Sequence, residues 1–547
     1  MATNPAGGGA ASRLRVEGSA LATRLWPWLP LPLAVVYLVI LAAKLNQLIA
    51  TTYANADFAS APVIGQLFGG SPAHRDVFLG QVGWFSTLIF ELATRWLPLH
   101  RDIWEVAPYA MAFASVAAIS WGAWKVGGRW AATITGVLLL CAGPQTLELL
   151  SALDDHTSTW FSLALLAALL MALETRLAWQ RRWLTALLVV VVGAIVGANA
   201  ASDLLLLAAG IAPIVLAAAA TWVLRPGPTS ARAWWWVIAT MAVAGVGDGL
   251  TRWWARHETV LTPPGLVHTQ FASSSVLGGN FDLWWQSVML LGNGNFFGQR
   301  LGFTSTIEVT CAVLVVVAVV LIPRMAWREI ARVLPSPHAD AQSQAPLVAW
   351  CVFWAASGLL LSASFVLSSN PMDLSSSRYL VGVLYAAAAL VPLAATRRAG
   401  LRALVVAGTT VFAFTGVVTL AQTSGPSSTS VLYNQVAAIA DAQHLEVGYA
   451  DYWDAAPLTW ASHVHLKVYP VQDCLPNSVP TLCWSALHMI TSWYTPRPHV
   501  RSFLITDSAQ VPSAAPPPSL GAPRHEYQLG VLTMYVYPYD IAAKMMP

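Results

Sequence analysis

The sequence predicts an α-helical polytopic membrane protein of about eleven transmembrane helices, followed by a small C-terminal extracytoplasmic α/β domain. Three observations predict it. Of 547 residues, 56% are hydrophobic and 10% charged, where a soluble domain carries roughly 25% charge. Apolar runs of the length that crosses about 30 Å of hydrocarbon recur along the chain. Arginine and lysine gather on alternate connections between those runs. The net charge of +3 decides little. The 26 tryptophans suit helix ends at the lipid–water boundary, although simple packing explains any single one equally well.

The expected spans are Trp28–Ile49, Glu105–Trp124, Ala131–Leu150, Thr159–Leu173, Trp183–Asn199, Leu204–Leu224, Trp234–Leu250, Thr304–Ile322, Pro346–Leu367, Tyr379–Ala395 and Leu401–Ala421. The stretch before them, residues 1–27, reads as a cytoplasmic tail. It carries Arg13, Arg15 and Arg24 and lacks the apolar core of a cleavable signal. The first run is therefore read as an uncleaved span.

The charges orient the bundle. Arg13/Arg15/Arg24, Lys125/Arg129, Arg176/Arg181/Arg182, Arg225/Arg232, Arg324/Arg328/Arg332 and Arg397/Arg398/Arg402 fall on one set of connections, which the positive-inside rule places in the cytoplasm. The other set carries Asp57, Asp76, Asp102, Asp154, Asp155, Asp282 and Asp373, with Arg75, Arg101, Arg252 and Arg256 among them. An odd number of spans then leaves the C-terminus outside. Two connections on that side are long, 50–104 and 251–303. The first includes Gly80–Trp96, too short and too polar for a span, which predicts helices lying along the membrane surface.

Residues 28–422 form the predicted membrane domain and 423–430 a Ser/Gly/Pro linker. Residues 431–547 read as an α/β domain, with helices at Val431–His444 and Ala455–Ser462. Its expected strands are Leu445–Tyr452, Val464–Val471, Arg501–Thr506 and Gln528–Tyr537. Cys141, Cys311 and Cys351 lie in spans as small apolar residues. Cys474 and Cys483, nine positions apart in the outer domain, predict a disulfide in an oxidising compartment.

Candidate site residues follow from charge at the outer boundary. Asp57, in Tyr-Ala-Asn-Ala-Asp-Phe just after the first span, is a carboxylate in reduced dielectric, which suits a general base. From position alone, a solvated loop carboxylate or a helix cap is the reading to prefer. Asp154-Asp155-His156 on the turn between the third and fourth spans offers oxygen and nitrogen ligands for a sugar or a divalent metal. A capped helix start accounts for the same residues. Arg378, in Ser-Ser-Ser-Arg-Tyr, has the planar fork that grips phosphate, or it anchors a helix end beside Tyr379. Lys44, near the end of the first span, is a second candidate for phosphate, or a snorkelling side chain. His74, Arg75 and Asp76 form a further candidate cluster, or a surface ion group.

This layout resembles the GT-C class of membrane glycosyltransferases, which includes protein O-mannosyltransferases and aminoarabinose transferases. The resemblance rests on Asp57 soon after the first span and on Gly143-Pro144 followed by Asp154-Asp155-His156 and Trp160. It rests also on the Arg378-Tyr379 pair opening a late span and on the terminal α/β domain. The chain departs from the class in two places. Asp57 is followed by Phe58 where paired carboxylates are common, and Leu79-Gly-Gln-Val-Gly-Trp84 replaces an aromatic-Pro-Pro segment. The resemblance implies a polyprenyl-phosphate sugar as donor, with the sugar passing to a hydroxyl of a cell-envelope glycan, lipid or protein. It also implies inversion at the anomeric carbon, Asp57 as base, and Arg378 with Lys44 on the phosphate. Asp154, Asp155 and His156 would hold acceptor, sugar or metal. The aromatic and acidic segment Tyr449–Asp454 has residue types that grip sugars, or it packs within its own domain. Two other classes fit a polytopic chain: a flippase for lipid-linked substrates and a non-catalytic envelope assembly protein. The absence of an internal repeat and the gathering of ionisable residues at one face favour interfacial chemistry over transport.

Overall fold

The structure is a computed structural model. It describes residues 28–69, 76–89, 101–151, 156–175, 182–262, 270–333, 344–395, 399–423, 428–475, 480–485, 487–509 and 515–546. Among these, nine helices are long and apolar enough to cross a membrane.

Helix α1 (Pro30–Thr52) is followed by α2 (Ala56–Gly69) on the face that carries the C-terminal domain, called here the domain face. Helix α3 (Arg101–Leu140) is two helices joined at Gly128, whose φ of 74° no ordinary helical residue adopts. The chain doubles back there: a Cβ placed on Gly136 would lie 3.1 Å from Ser120 Oγ. The expected spans Glu105–Trp124 and Ala131–Leu150 are thus the two arms of one hairpin. The second arm ends at Leu140, not Leu150. The Gly143-Pro144 break starts a separate short helix, α4 (Pro144–Ser151), because proline cannot continue the ladder from the arm before it.

Next come α5 (Ser158–Glu174), α6 (Arg182–Ser202), α7 (Ala212–Leu224) and α8 (Pro228–His257). Helix α5 is apolar but shorter than the others. Counting it and both arms of the hairpin, the described residues hold about the number of apolar segments that the sequence predicts. Helices α6 and α8 approach closely because Gly193 and Gly197 are four apart on one face. A Cβ on Gly197 would meet the Ala244 carbonyl at 2.0 Å, the small-residue packing on which membrane helices rely.

The remaining bundle helices are α9 (Leu277–Leu291), on the domain face within the second long loop, then α10 (Phe303–Val333), α11 (Ala345–Leu367), α12 (Val381–Ala395) and α13 (Ala399–Gln422). A 3₁₀ turn, Leu374–Leu380, leads into α12. The core between α3, α5, α7, α11 and α12 is filled by Trp160, Trp350, Phe353, Trp354 and Tyr385, all buried.

The C-terminal unit opens with α14 (Ser428–Ala442). Its sheet has six strands in the order β5-β4-β3-β7-β9-β8. These are β3 (Val447–Ala450), β4 (Lys467–Cys474), β5 (Thr481–Trp484), β7 (Ser502–Asp507), β8 (His525–Leu529) and β9 (Leu532–Tyr537). Strands β3, β4 and β7 are parallel, and the outer strands antiparallel. The expected single strand Gln528–Tyr537 is instead a hairpin turning at Gly530, whose φ is 62°. Tyr452, expected to close a strand, is the first residue of α15 (Tyr452–Ala461), because Asp451 caps that helix by accepting from the Asp454 N–H. The disulfide Cys474–Cys483 is present and joins β4 to β5.

A second, three-stranded ribbon stitches the two units together. Its middle strand is β1 (Val77–Phe78), flanked by β2 (Val260–Leu261) and β6 (Met489–Ile490). The first long loop, the second long loop and the C-terminal unit therefore share backbone hydrogen bonds. Trp460 of α15 adds a side-chain tie. It stacks on Tyr53 at 5.2 Å and donates to Glu105 Oε1 at 3.0 Å.

Candidate active site

Asp57 lies in the first turn of α2. Asn55 caps that helix, its Oδ1 accepting the Asp57 N–H at 2.9 Å. A carboxylate at this position is favoured by the free N–H groups and dipole of the helix start. The α15 N-terminus faces it from the other unit, at the carboxyl end of β3, the edge at which α/β sheets usually place ligands. From there Tyr452 donates to Asp57 Oδ1 at 2.7 Å. The second oxygen, Oδ2, is 3.6 Å from an Arg378 guanidinium nitrogen, with the two side chains 31% and 23% exposed. Asp57 and Arg378 are far apart in sequence, and the fold brings them into contact at the domain face.

Arg378 stands over the ring of Tyr379 at 5.4 Å. Tyr379 meets the edge of His156 at 5.1 Å. His156 in turn bonds through Nδ1 to Asp203 Oδ2 at 2.6 Å, and Thr159 donates to the same oxygen. His156 sits at φ 70°, a left-handed conformation that costs on the order of 1 kcal/mol or more for a residue with a side chain. The buried Asp203 bond offsets that cost and fixes the ring. Burial alone would push the Asp203 carboxyl up, but the adjacent His156 and the hydrogen bonds from His156, Thr159 and the Leu205 N–H outweigh it and hold it below the usual carboxylate range.

On the other side of Asp57 stands His488, its ring 5.6 Å from that of Tyr452. Its Nδ1 is buried without a hydrogen-bond partner, and φ is 49°. Burial pushes its pKa down to about 4, against the pull of the Asp57 charge. Asp203, Tyr379, Arg378, Asp57, Tyr452 and His488 therefore lie along one arc of contacts that runs from bundle to C-terminal unit.

The other sequence candidates are placed as follows. Asp154 and Asp155 lie outside the described residues, as do His74 and Arg75. Asp76 is described: its backbone carbonyl accepts from the Thr491 N–H at 3.0 Å, beside the ribbon. Lys44 donates to the carbonyls of Ala421 and Thr423 at 2.7 and 2.6 Å, so it caps the end of α13. That engagement accommodates its charge without a phosphate. The Tyr449–Asp454 segment divides. Tyr449 donates to Asp540, and Asp454 accepts from Tyr433, both inside the unit. Tyr452 alone reaches Asp57. Among the described residues no three His, Cys, Asp or Glu side chains gather as a metal site.

Among solved structures the chain is similar to ArnT from Cupriavidus metallidurans bound to undecaprenyl phosphate. The TM-score is 0.51 at 11% identity, over 94% of this chain and 98% of that one. The chain has a GT-C fold. The apo structure of the same ArnT gives a TM-score of 0.41 at 13% identity, over 93% and 98%. No family model matches the sequence, and no curated protein matches it. The GT-C fold thus extends across nearly the whole chain at an identity too low to carry residue roles, and those rest on the geometry above.

Sequence reasoning named Asp57, Arg378 and His156 but missed Asp203 and His488. Asp203 carried a usable signal: a lone carboxylate at the end of the apolar α6. His488 carried none, since its place is set by the ribbon that begins one residue later.

Proposed function

We propose that this protein transfers a sugar from a polyprenyl-phosphate donor to an acceptor hydroxyl, with inversion at the anomeric carbon. The observation that carries the reading is the contact of Asp57 with Arg378 at a partly open site in a GT-C fold. ArnT, the similar structure, binds undecaprenyl phosphate, the donor chemistry that this reading gives to Arg378.

Arg378 holds the donor phosphate in its planar fork. A partly exposed ion pair is worth at most about 1 kcal/mol, so a phosphate displaces Asp57 from Arg378 at little cost. Freed of that pairing, Asp57 keeps its hydrogen bond from Tyr452 and presents Oδ2 to the acceptor. The acceptor O–H gives its proton to Asp57 while its oxygen attacks the anomeric carbon. The bond from that carbon to the phosphate oxygen breaks, and polyprenyl phosphate leaves on Arg378. Reaching a phosphate would require Lys44 to release two carbonyls, so the phosphate falls to Arg378 alone.

The alternating arginine clusters support a chain in the cytoplasmic membrane with its N-terminus inside. The domain face is then extracytoplasmic, and the acceptor belongs to the cell envelope. The test is release of free polyprenyl phosphate by purified protein given a polyprenyl-phosphate sugar and an envelope extract. The wild type releases it and Asp57→Asn does not. Release by Asp57→Asn at the wild-type rate removes Asp57 as the base.

A further inference from the structure

A cavity of about 460 Å³ lies on the domain face between the ends of α10 and α13, the start of α4 and the loop after α9. Its volume is in the range of small-molecule sites. Gln145, Asn295, Gln299, Thr419 and Gln422 line it with uncharged donors and acceptors. Among the described residues, Glu308 is the only ionisable group in its lining. It is 7% exposed, and its Oε2 is buried with no hydrogen-bond partner. The polar rim is held in place: Asn295 donates to Gln145 Oε1 at 3.4 Å, and Thr304 to Gln422 Oε1 at 3.0 Å.

Below this cavity, between the same two helices, runs an apolar groove of about 220 Å³ lined by Cys311, Leu314, Val315, Leu404, Gly408 and Phe412, among others. Cys311 is one turn along α10 from Glu308. A polar chamber thus stands over a hydrocarbon slot.

The lining selects the occupant. Among the described residues no lysine, arginine or histidine lines the chamber, the Lys44 ammonium behind the Thr423 carbonyl is already engaged by two carbonyls, and Glu308 repels anions, so a phosphate or carboxylate head is poorly matched. Sugar hydroxyls both donate and accept, which suits a wall of amides and hydroxyls. They also satisfy the orphaned Glu308 oxygen, and a buried acceptor left unsatisfied costs about 1–3 kcal/mol. We propose that this slot binds an uncharged glycolipid, with the sugar head in the chamber and the tail in the groove. Resting on the transferase reading above, such a lipid is the acceptor. Binding itself does not depend on that reading.

The test uses full-length protein in phosphatidylcholine nanodiscs and a dodecyl glucoside carrying a diazirine in its chain. Photolabelling is expected on α10 and α13. Glu308→Gln should lower it about tenfold, the equivalent of one hydrogen bond to a charged group. Asn295→Ala and Gln422→Ala, on the rim, should each lower it severalfold, and they serve as the test if Glu308→Gln fails to fold. Excess dodecyl maltoside should compete and free glucose should not. The proposal is overturned if labelling ignores all three substitutions, or if free glucose competes as well as the alkyl glycoside. It is also overturned if polyprenyl phosphate competes better, which makes the slot a donor site. Asp57→Asn should label like the wild type, so loss of turnover and loss of glycolipid binding are read separately.

Discussion

Two acid-centred clusters sit at opposite ends of one arc of contacts, and they are built to opposite specifications. Around Asp203, in the bundle, everything is buried and paired: His156 and Thr159 both bond one carboxylate oxygen. Around Asp57, at the join with the C-terminal unit, one oxygen is held by Tyr452 while the other faces Arg378 at 3.6 Å, partly exposed. Breaking a buried pair by removing one partner costs about 3–5 kcal/mol, whereas opening an exposed pair costs about 1 or less. The difference separates a cluster that holds its neighbours in place from one that can exchange partners with a ligand.

Four substitutions would break or sharpen that contrast. The largest effect is expected from Asp57→Asn, which should lower donor turnover by about 10²–10⁴-fold, the usual contribution of a general base, with an unchanged melting temperature. A stability loss in place of a rate loss would put Asp57 in the same class as Asp203. Asp203→Asn should do the reverse first. It removes the buried charge that His156 and Thr159 bond, so thermal unfolding should shift down by the equivalent of about 3 kcal/mol, and turnover should suffer only as far as Tyr379 and Arg378 shift. Native-like melting of Asp203→Asn would show that the buried cluster is dispensable.

Tyr452→Phe should have a smaller effect, about tenfold on turnover, since one hydrogen bond to a charged group is worth about 1.5–3 kcal/mol. Turnover by Tyr452→Phe at the wild-type rate would leave Tyr452 as a domain contact only.

The smallest effect concerns His488. Its folded pKa is about 4 against 6.5 for the free side chain. Below pH 6.5 the unfolded chain takes up a proton that the folded chain does not, so its contribution is full above that pH. It is lost as pH falls toward 4. Asp454 works the other way. Burial, with Asp451 beside it, raises its pKa to about 7, so its contribution is full below pH 3.8 and lost as pH rises through 7. The comparison therefore has to be between wild type and His488→Leu. The melting temperature of the wild type relative to the variant should fall steadily from pH 6.5 to pH 4. A pH-independent gap would show that His488 titrates normally.

Much of the bundle was legible in the sequence because hydrocarbon thickness fixes span length and apolar composition marks it. The misreadings come where composition is silent about direction. In the run Ala131–Leu150 apolar residues recur as far as Leu147, Leu149 and Leu150, yet the backbone breaks at Gly143-Pro144 and the last turns belong to α4. Gln528–Tyr537 reads as one strand unless Gly530 is taken as a turn. At the site, Asp57 and Arg378 were legible as boundary charges. Their meeting was not, since it depends on how α2 and the turn before α12 pack. Tyr452 was read within a sugar-gripping segment, but only the cap by Asp451 turns its ring out of the sheet register and toward α2. His488 owes its place to partners distant in sequence, and no local pattern encodes that.

The ribbon of β1, β2 and β6 has a consequence for biogenesis. Its last strand starts at Met489, one residue after His488 and after every helix of the bundle, so the stitch cannot close until all the spans have been made. The spans can insert one by one long before that. A half-made copy holds its spans without the stitch, and the two units are fastened in one late step, when the segment at Met489 docks on a loop made long before it.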